Sequence, residues 1–345
     1  MTDPAPLPQD DRALPWPTRW DLPLVMILGV LLLWALMPGL GVWEPWEADH
    51  AGVAQLMRES GQWLEVRVPL SGDRVRAVPE LAFGWWPIAA TTALLGVGEL
   101  GLRLPGLLAG LGVLALLVVV VRRFFGRLAG VLSGLALLGM PLFAFHTRLA
   151  LGSGLGMAFM ALGALAFLRV AAADDEKLGA WWIWGAWLAT AVAGLVMGAV
   201  GLLAPILAGL ATVATRRADP GGDRASALRA SARRIAPLAP VLVALALVGV
   251  GWWRALAHLD EAHSWTALLL WADPLGAPPT AAQRPFFDAF VHQIGFGLFP
   301  IGALLPFAFA DLLWAPARDD EPSAAARVAP GLAAWFAVAF LGPAL

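Results

Sequence analysis

The first apolar run of the chain leads into the segment Trp43-Glu44-Pro45-Trp46-Glu47-Ala48-Asp49-His50. Three carboxylates and an imidazole therefore lie within seven positions, directly after a stretch long enough to cross a membrane. Acidic groups are costly near the hydrocarbon core, so their presence indicates catalysis, metal binding or a cationic partner. The loop that begins here is the strongest candidate for a functional site.

The composition places the chain among membrane proteins. Hydrophobic residues make up 59% of its 345 residues and charged residues 14%, against about 45–50% and about 25% in soluble domains. The excess is arranged in runs of about 20 residues, the length of a transmembrane helix. The sequence predicts an all-α integral membrane protein, a polytopic helical bundle whose long first extracytoplasmic loop carries interfacial helices.

Charge and residue usage exclude several classes of function. The net charge of -2 argues against a nucleic-acid partner. The chain has no cysteine, which excludes disulfides, thiol catalysis and cysteine-bound metal. Tyrosine is absent and lysine occurs once, whereas Ala, Gly, Leu, Arg and Trp are abundant. This usage is typical of a GC-rich bacterial genome, so we expect a bacterial inner-membrane protein.

The apolar runs predict a cytoplasmic tail over residues 1–20 and one membrane domain over 21–345, with about eight full spans and a truncated ninth. The predicted spans cover 21–42, the run that follows Arg103-Leu104-Pro105 and ends at Val121, 128–146, 149–170, 181–199, 201–215, 236–254, 291–314 and a final run from Gly331. Because this last run is cut short at Leu345, we expect the chain to be a fragment of a longer protein.

Arginine placement gives the expected orientation. Arg122, Arg123 and Arg127 follow the second span, and further arginines fill the loop 216–234, so both regions are expected in the cytoplasm together with the N-terminus. The active face is then extracytoplasmic, and it includes the loop 43–102, the turn near 146–153 and residues 255–290. Within that loop, the apolar run from Trp85 to Val97 is too short to span and is expected to be interfacial.

Several motifs follow the acidic segment in a characteristic order. They are the segment from Glu47 to Leu64 (EADHAGVAQLMRESGQWL), Pro79-x-Leu81 before an aromatic run, Leu95-Gly96-Val97-Gly98-Glu99, Arg103-Leu104-Pro105, Arg122-Arg123-Phe124-Phe125-Gly126, and the stretch from His292 to Pro306. Together they resemble the C-type (GT-C) membrane glycosyltransferases, nearest to the aminoarabinose transferase and protein O-mannosyltransferase group.

The resemblance implies an enzyme that moves a sugar from a polyprenyl-phosphate carrier to an extracytoplasmic lipid, glycan or protein acceptor, without a cofactor. It implies a loop carboxylate as general base or acceptor positioner, with Glu47 first and Asp49 next. Arginines are suited to hold the donor phosphate because guanidinium pairs bidentately with its oxygens. The expected substrate-binding residues are Glu44, Trp46, His50, Arg74, Arg76, Arg103 and Arg148.

The chain also departs from the family pattern. The first acid of the family's acidic pair falls on Trp46, and the lysine of its K-P-P-L segment falls on Val78. The aspartate expected after the third span falls in Leu151-Gly152-Ser153-Gly154. Two hypotheses follow: a divergent enzyme, or a catalytically silent subunit or binding protein that keeps the fold. A transporter is a third, disfavoured because the span interiors carry few charges.

Each candidate residue has a structural alternative. Glu44 and Glu47 would favourably cap a helix expected over 48–59. With Asp49 and His50 they could bind a divalent metal, although the segment lacks a DxD pattern, and Arg103 and Arg148 could merely end helices.

Two further groups of residues also have a functional and a structural interpretation. The cluster of His258, Asp260, Glu261 and His263 is either part of the acceptor site or a solvated loop. The tryptophans Trp43, Trp46, Trp63, Trp85 and Trp86 form either an interfacial belt or a sugar-stacking surface.

Overall fold

The computed structural model describes residues 16–35, 39, 41–42, 46–69, 75–78, 81–150, 152–173, 178–214, 229, 232–257, 307 and 328–335. Within these ranges the elements are α1 (Asp21–Trp34), α2 (Trp46–Ser60), β1 (Val66–Pro69), β2 (Val75–Val78), α3 (Trp86–Leu95), α4 (Glu99–Phe125), α5 (Arg127–Gly139), α6 (Pro141–Arg148), α7 (Gly152–Ala171), α8 (Ala180–Ala214) and α9 (Leu238–Leu256). Short 3-10 turns occupy Thr18–Trp20 and Ala82–Gly84.

Four of the described helices, α4, α7, α8 and α9, are long and apolar enough to cross a membrane. The pair α5 and α6 passes the same test together, although the two helices are bent by 68°. The predicted class, a polytopic helical membrane bundle, is therefore confirmed. The predicted run 291–314 lies outside the described residues, as does most of the final run.

The predicted span over 128–146 is not one straight helix. Met140 adopts an extended backbone conformation, with φ -80° and ψ 118°, and Pro141 begins α6. Proline has no backbone N–H and is tolerated at the first turn of a helix, so it starts a new helix here rather than continuing the old one. The run-length pattern missed this break because both halves are apolar.

Helix α8 reverses direction at Gly198, where φ is 62° and ψ is -143°. A Cβ placed on Gly194 would lie 3.2 Å from Cβ of Leu202, and one on Gly201 would meet the carbonyl oxygen of Ala193. Residues eight positions apart in a straight helix are about 12 Å apart, so the two halves must fold back on each other. The predicted boundary between the runs 181–199 and 201–215 coincides with this reversal.

Helix α4 begins earlier than its apolar run suggests and passes through Pro105. Because proline lacks an N–H, the carbonyl of Gly101 loses its helical donor. The hydroxyl of Thr91 in α3 lies 2.5 Å from that oxygen and supplies the missing hydrogen bond. Helix α3 is thereby fixed against the first turns of α4, and Arg103 lies inside the helix rather than in the preceding loop.

The first loop has its own small core. Helix α2 packs on the hairpin of β1 and β2, in which Val66 pairs with Val78 and Pro69 with Val75. The side chains of Val53, Met57, Val66, Val68, Ala82 and Trp85 form the buried cluster. The helix expected over 48–59 is confirmed, whereas the hairpin was not predicted. Trp85, expected at an exposed rim, is 2% exposed.

A buried ion pair closes the opposite end of the bundle. Arg127 donates to both oxygens of Asp21, from Nε at 2.8 Å and from Nη2 at 2.9 Å. Trp16 Nε1 donates to the same carboxylate at 2.9 Å, and Arg122 Nη1 lies 3.4 Å from it. This cluster joins the start of α1 to the turn between α4 and α5.

Candidate functional site

The carboxylate of Glu47 is completely buried in the structure. Arg103 donates to both of its oxygens, from Nε to Oε1 at 2.9 Å and from Nη2 to Oε2 at 2.6 Å. The backbone N–H of Ala150 donates to Oε1 at 2.9 Å. One side chain in the first turn of α2 therefore connects α4 and the segment between α6 and α7.

Arg103 extends this network to the exit of the first span. Its Nη2 donates to the carbonyl of Gly41 at 2.6 Å, and its Nη1 lies 3.7 Å from Oε2 of Glu99, one helical turn earlier. Glu99 accepts the backbone N–H groups of Gly39 and Gly41, each at 2.7 Å. Both glycines have positive φ, 91° and 70°, a conformation that glycine adopts without strain.

Helix α2 presents one face to the protein. Glu47, His50, Val53 and Met57 are buried and recur at helical spacing. The imidazole of His50 stacks on the indole of Trp85, with ring centroids 5.4 Å apart and planes inclined by 15°. This stacking gives the buried imidazole a packing contact on the core face of α2.

Asp49 lies elsewhere on the same helix. Two residues correspond to about 200° around a helix axis, so Asp49 and Glu47 project in nearly opposite directions. Asp49 is only partly buried, and within the described part of the chain no hydrogen bond or ion pair of its side chain is found. Of the two predicted catalytic carboxylates, the one at position 49 is thus the more accessible.

Arg148 ends α6, two residues before the N–H that binds Glu47. Its Nη2 donates to the carbonyl oxygen of Leu32 in α1. Its Nε is buried and has no hydrogen-bond partner among the described residues. A buried guanidinium N–H that has no acceptor is energetically unfavourable. The side chain of Arg148 is therefore suited to bind an anion, to which this N–H can donate.

The structure describes two of the remaining predicted site residues, Arg76 and Trp46. Arg76 lies in β2, where its backbone pairs with Val68, and Trp46 is the first residue of α2. Glu44 and Arg74 fall outside the described residues, as does the polar cluster of residues 258–263. Among the described residues, no three His, Asp or Glu side chains are close enough to hold a metal ion.

Sequence reasoning missed two parts of this network. Glu99 was noticed only as the end of the motif Leu95-Gly96-Val97-Gly98-Glu99, although its spacing of four residues from Arg103 is the spacing of ion pairs on a helix. The contribution of Ala150 has no sequence signal at all, because a backbone N–H is available at every residue except proline.

An apolar groove of about 620 Å³ lies beside the first loop. Phe83 and Trp86 line it on the loop side, and Leu195 of α8 and Val250 of α9 on the bundle side. Trp86 is held in place because its Nε1 donates to the carbonyl of Trp63 at 2.6 Å. The groove has the chemistry to accept a hydrocarbon chain.

Comparison with known proteins identifies relatives of the chain. The family model described as dolichyl-phosphate-mannose-protein mannosyltransferase matches residues 82–253. The chain is 26% identical over 312 residues to the undecaprenyl phosphate-alpha-4-amino-4-deoxy-L-arabinose arabinosyl transferase 2 of Pseudomonas fluorescens, covering 87% of this chain and 52% of the relative. The chain thus spans about half the length of this curated relative.

Two solved structures share the architecture. They are crystal structures of ArnT from Cupriavidus metallidurans, one bound to undecaprenyl phosphate and one in the apo state. Each is 20% identical in sequence with a TM-score of 0.63, and the alignments cover 93% of this chain and 60% and 59% of the two structures. The predicted resemblance is therefore confirmed: the chain is similar to the C-type membrane glycosyltransferases of the aminoarabinose transferase and protein O-mannosyltransferase group, and it has their fold.

Proposed function

We propose that the protein is a membrane glycosyltransferase that moves a sugar from a polyprenyl-phosphate donor to a lipid, glycan or protein acceptor. The observation that carries the proposal is the junction at Glu47, where α2, α4 and the segment between α6 and α7 meet. Asp49 and Arg148 flank this junction along the chain. Asp49 is two residues from Glu47 and Arg148 is two residues from Ala150, so an accessible carboxylate and a cation with an unused N–H each lie two positions along the chain from a member of this junction.

In the proposed reaction, an acceptor hydroxyl attacks the anomeric carbon of the donor sugar. The bond between that carbon and the phosphate oxygen breaks, and polyprenyl phosphate leaves with the bonding electrons. Asp49 takes the hydroxyl proton as general base, a role that requires a carboxylate within hydrogen-bond reach. Arg148 stabilises the charge that develops on the phosphate.

Glu47 and Arg103 have positioning roles in this proposal. Both oxygens of Glu47 accept hydrogen bonds from a guanidinium that is itself 2% exposed. The carboxylate of Glu47 and the guanidinium of Arg103 stabilise each other's ionised forms. With both oxygens already accepting hydrogen bonds, the carboxylate is poorly placed to take a proton from a substrate. The pair instead fixes the first turn of α2, and with it Asp49, on the bundle.

The arginine distribution and the similar proteins support a membrane arrangement. We propose that the protein is in the bacterial inner membrane with its N-terminus in the cytoplasm, which places the first loop on the extracytoplasmic side. The apolar groove at Phe83 and Trp86 then adjoins the catalytic loop, where the carrier lipid would approach from the bilayer. This placement is supported by the short α3, which is too short to span.

The test is sugar transfer in proteoliposomes, with polyprenyl-phosphate sugars as donors and a total lipid and envelope extract as acceptor. Asp49→Asn should lower kcat by about a hundredfold or more, the scale of lost acid–base catalysis. Glu59→Gln is the matched control, because Glu59 is an exposed carboxylate near the end of the same helix, and it should be silent.

The other outcomes are equally informative. Loss of transfer in folded Glu47→Gln with full activity in Asp49→Asn would assign the base to Glu47 instead. No transfer by any form, with donor binding unaffected by the substitutions, would favour a catalytically silent subunit of the same fold.

A further inference from the structure

The first half of α8 carries a continuous apolar strip on one face. Trp181, Gly185, Leu188, Val192 and Val196 follow each other at intervals of three or four residues, which places them on one side of the helix. Trp181 is 65% exposed and Leu188 41% exposed. The strip is therefore open to the hydrocarbon from Trp181 to Leu188 and becomes covered towards Val196, which is 7% exposed.

Two grooves lie along this strip. The first is the 620 Å³ groove beside the first loop, lined by Phe83 and Trp86. The second has a volume of about 330 Å³ and lies between α8, Leu116 of α4 and Phe159 of α7. Val192 lines both grooves, and every residue that lines either groove is apolar.

The length of the strip limits what can occupy it. Trp181 and Val196 are fifteen residues apart, which is about 22 Å along a helix. The hydrocarbon core is about 30 Å thick, so a lipid anchored in one leaflet reaches about half of it. An occupant of the whole strip must be a single apolar chain longer than an ordinary acyl chain.

We propose that the distal part of the donor's prenyl chain follows this strip into the groove between α4, α7 and α8, and that prenyl chain length is a determinant of donor choice. The inference rests on the proposed function. The proximal isoprene units occupy the groove at Trp86, and the chain then continues past Val192 towards Trp181. A donor with only a few isoprene units ends before the second groove and gains nothing from it.

Gly185 allows this inference to be tested without disturbing the fold. A Cβ placed on Gly185 meets no atom within 4 Å, so Gly185→Leu fills the second groove from an open position. Gly249 of α9 is likewise exposed with no atom within 4 Å but lines neither groove. Gly249→Leu is therefore the matched control.

The measurement is the ratio of kcat/KM for a donor with about eleven isoprene units to that for a donor with about three. Because surrounding lipid is as apolar as the groove, the preference arises from packing rather than from the hydrophobic effect. We expect Gly185→Leu to reduce the ratio by roughly threefold or more, with the short donor unaffected and Gly249→Leu unchanged. An unchanged ratio in Gly185→Leu would overturn the proposal.

A second experiment is independent of transfer. A polyprenyl phosphate with a diazirine on its terminal isoprene unit should crosslink to the segment from Trp181 to Leu188, and unlabelled long polyprenyl phosphate should compete. Crosslinks elsewhere, or equal competition by phosphatidylglycerol, would overturn the inference even if sugar transfer is found. Crosslinks at the strip without transfer would instead refute the proposed function and leave this lipid path standing.

Discussion

Arg103 and Glu47 face each other with two parallel hydrogen bonds, although they are 56 residues apart in the chain. Both side chains are at most 2% exposed. A charge buried to this extent depends on its partner, because removing one member takes away the main compensation of the other in a place that water does not reach. This pair therefore governs both the stability of the first loop and the position of Asp49.

Arg103→Gln is expected to destabilise the protein by about 3–5 kcal/mol, the usual cost of leaving a buried charge unpaired. Arg103→Lys should rescue it poorly, since an ammonium group cannot donate in the bidentate geometry. Thermal unfolding in detergent, followed by tryptophan fluorescence, measures the effect. The double variant Glu47→Leu with Arg103→Met should be more stable than either single variant, and additive losses would contradict a direct pair.

Asp21→Asn should also lower stability by about 3–5 kcal/mol, because Arg127 is left buried. The substitution should not change KM or kcat in the folded fraction, since Asp21 contacts Arg122 and Arg127 at the end of α4 that is far from the first loop. The measurement is transfer activity normalised to folded protein from size-exclusion chromatography. A lower kcat in that fraction would show that the two ends of the bundle are coupled.

Arg76→Gln and Arg74→Gln should each raise KM for the donor by about tenfold or more, the scale of a lost hydrogen bond to a charged group. Arg67 provides the control because it lies in β1, which pairs with the strand of Arg76, but binds Glu65 at 2.7 Å. Arg67→Gln should leave KM unchanged. Equal KM values in all three variants would mean that neither Arg74 nor Arg76 binds the donor phosphate.

Thr91→Val is expected to cost about 1 kcal/mol, since it leaves the carbonyl of Gly101 without a donor. Pro105→Ala restores an N–H four residues after Gly101, so the cost of Thr91→Val should shrink in that background. Thermal unfolding of the four proteins of this double-mutant cycle gives the coupling energy. A coupling of zero would mean that the hydroxyl does not serve this carbonyl.

The sequence predicted those parts of the fold that depend on local patterns. Helix α2 and the reversal near Gly198 follow from residue spacing and run lengths over a few turns. The hairpin was missed although its signal is present in the sequence. Val66-Arg67-Val68 and Val75-Arg76-Ala77-Val78 are rich in valine and lie on either side of Ser71-Gly72-Asp73, residue types that favour turns. The two strands are only four residues long, and the long apolar runs on either side dominate the hydropathy pattern of this region.

The partners of Glu47 could not be predicted from spacing. Glu47, Arg103 and Ala150 meet only because three elements pack at one point, and sequence separations of 56 and 103 residues carry no local signal. Both charged members were among the predicted site residues. Their mutual pairing, which shifts the proposed base from Glu47 to Asp49, is a property of the tertiary structure alone.

Helix α4 carries an ionic contact near each of its ends, through Arg103 at one and Arg122 at the other. These residues are nineteen positions apart, which is about 28 Å along the helix, close to the thickness of a bilayer's hydrocarbon core. Sliding of α4 along its axis would break both contacts. In a thinner or thicker membrane we therefore expect the bundle to tilt as one unit, or the bilayer to deform around it, without a shift of α4 against its neighbours.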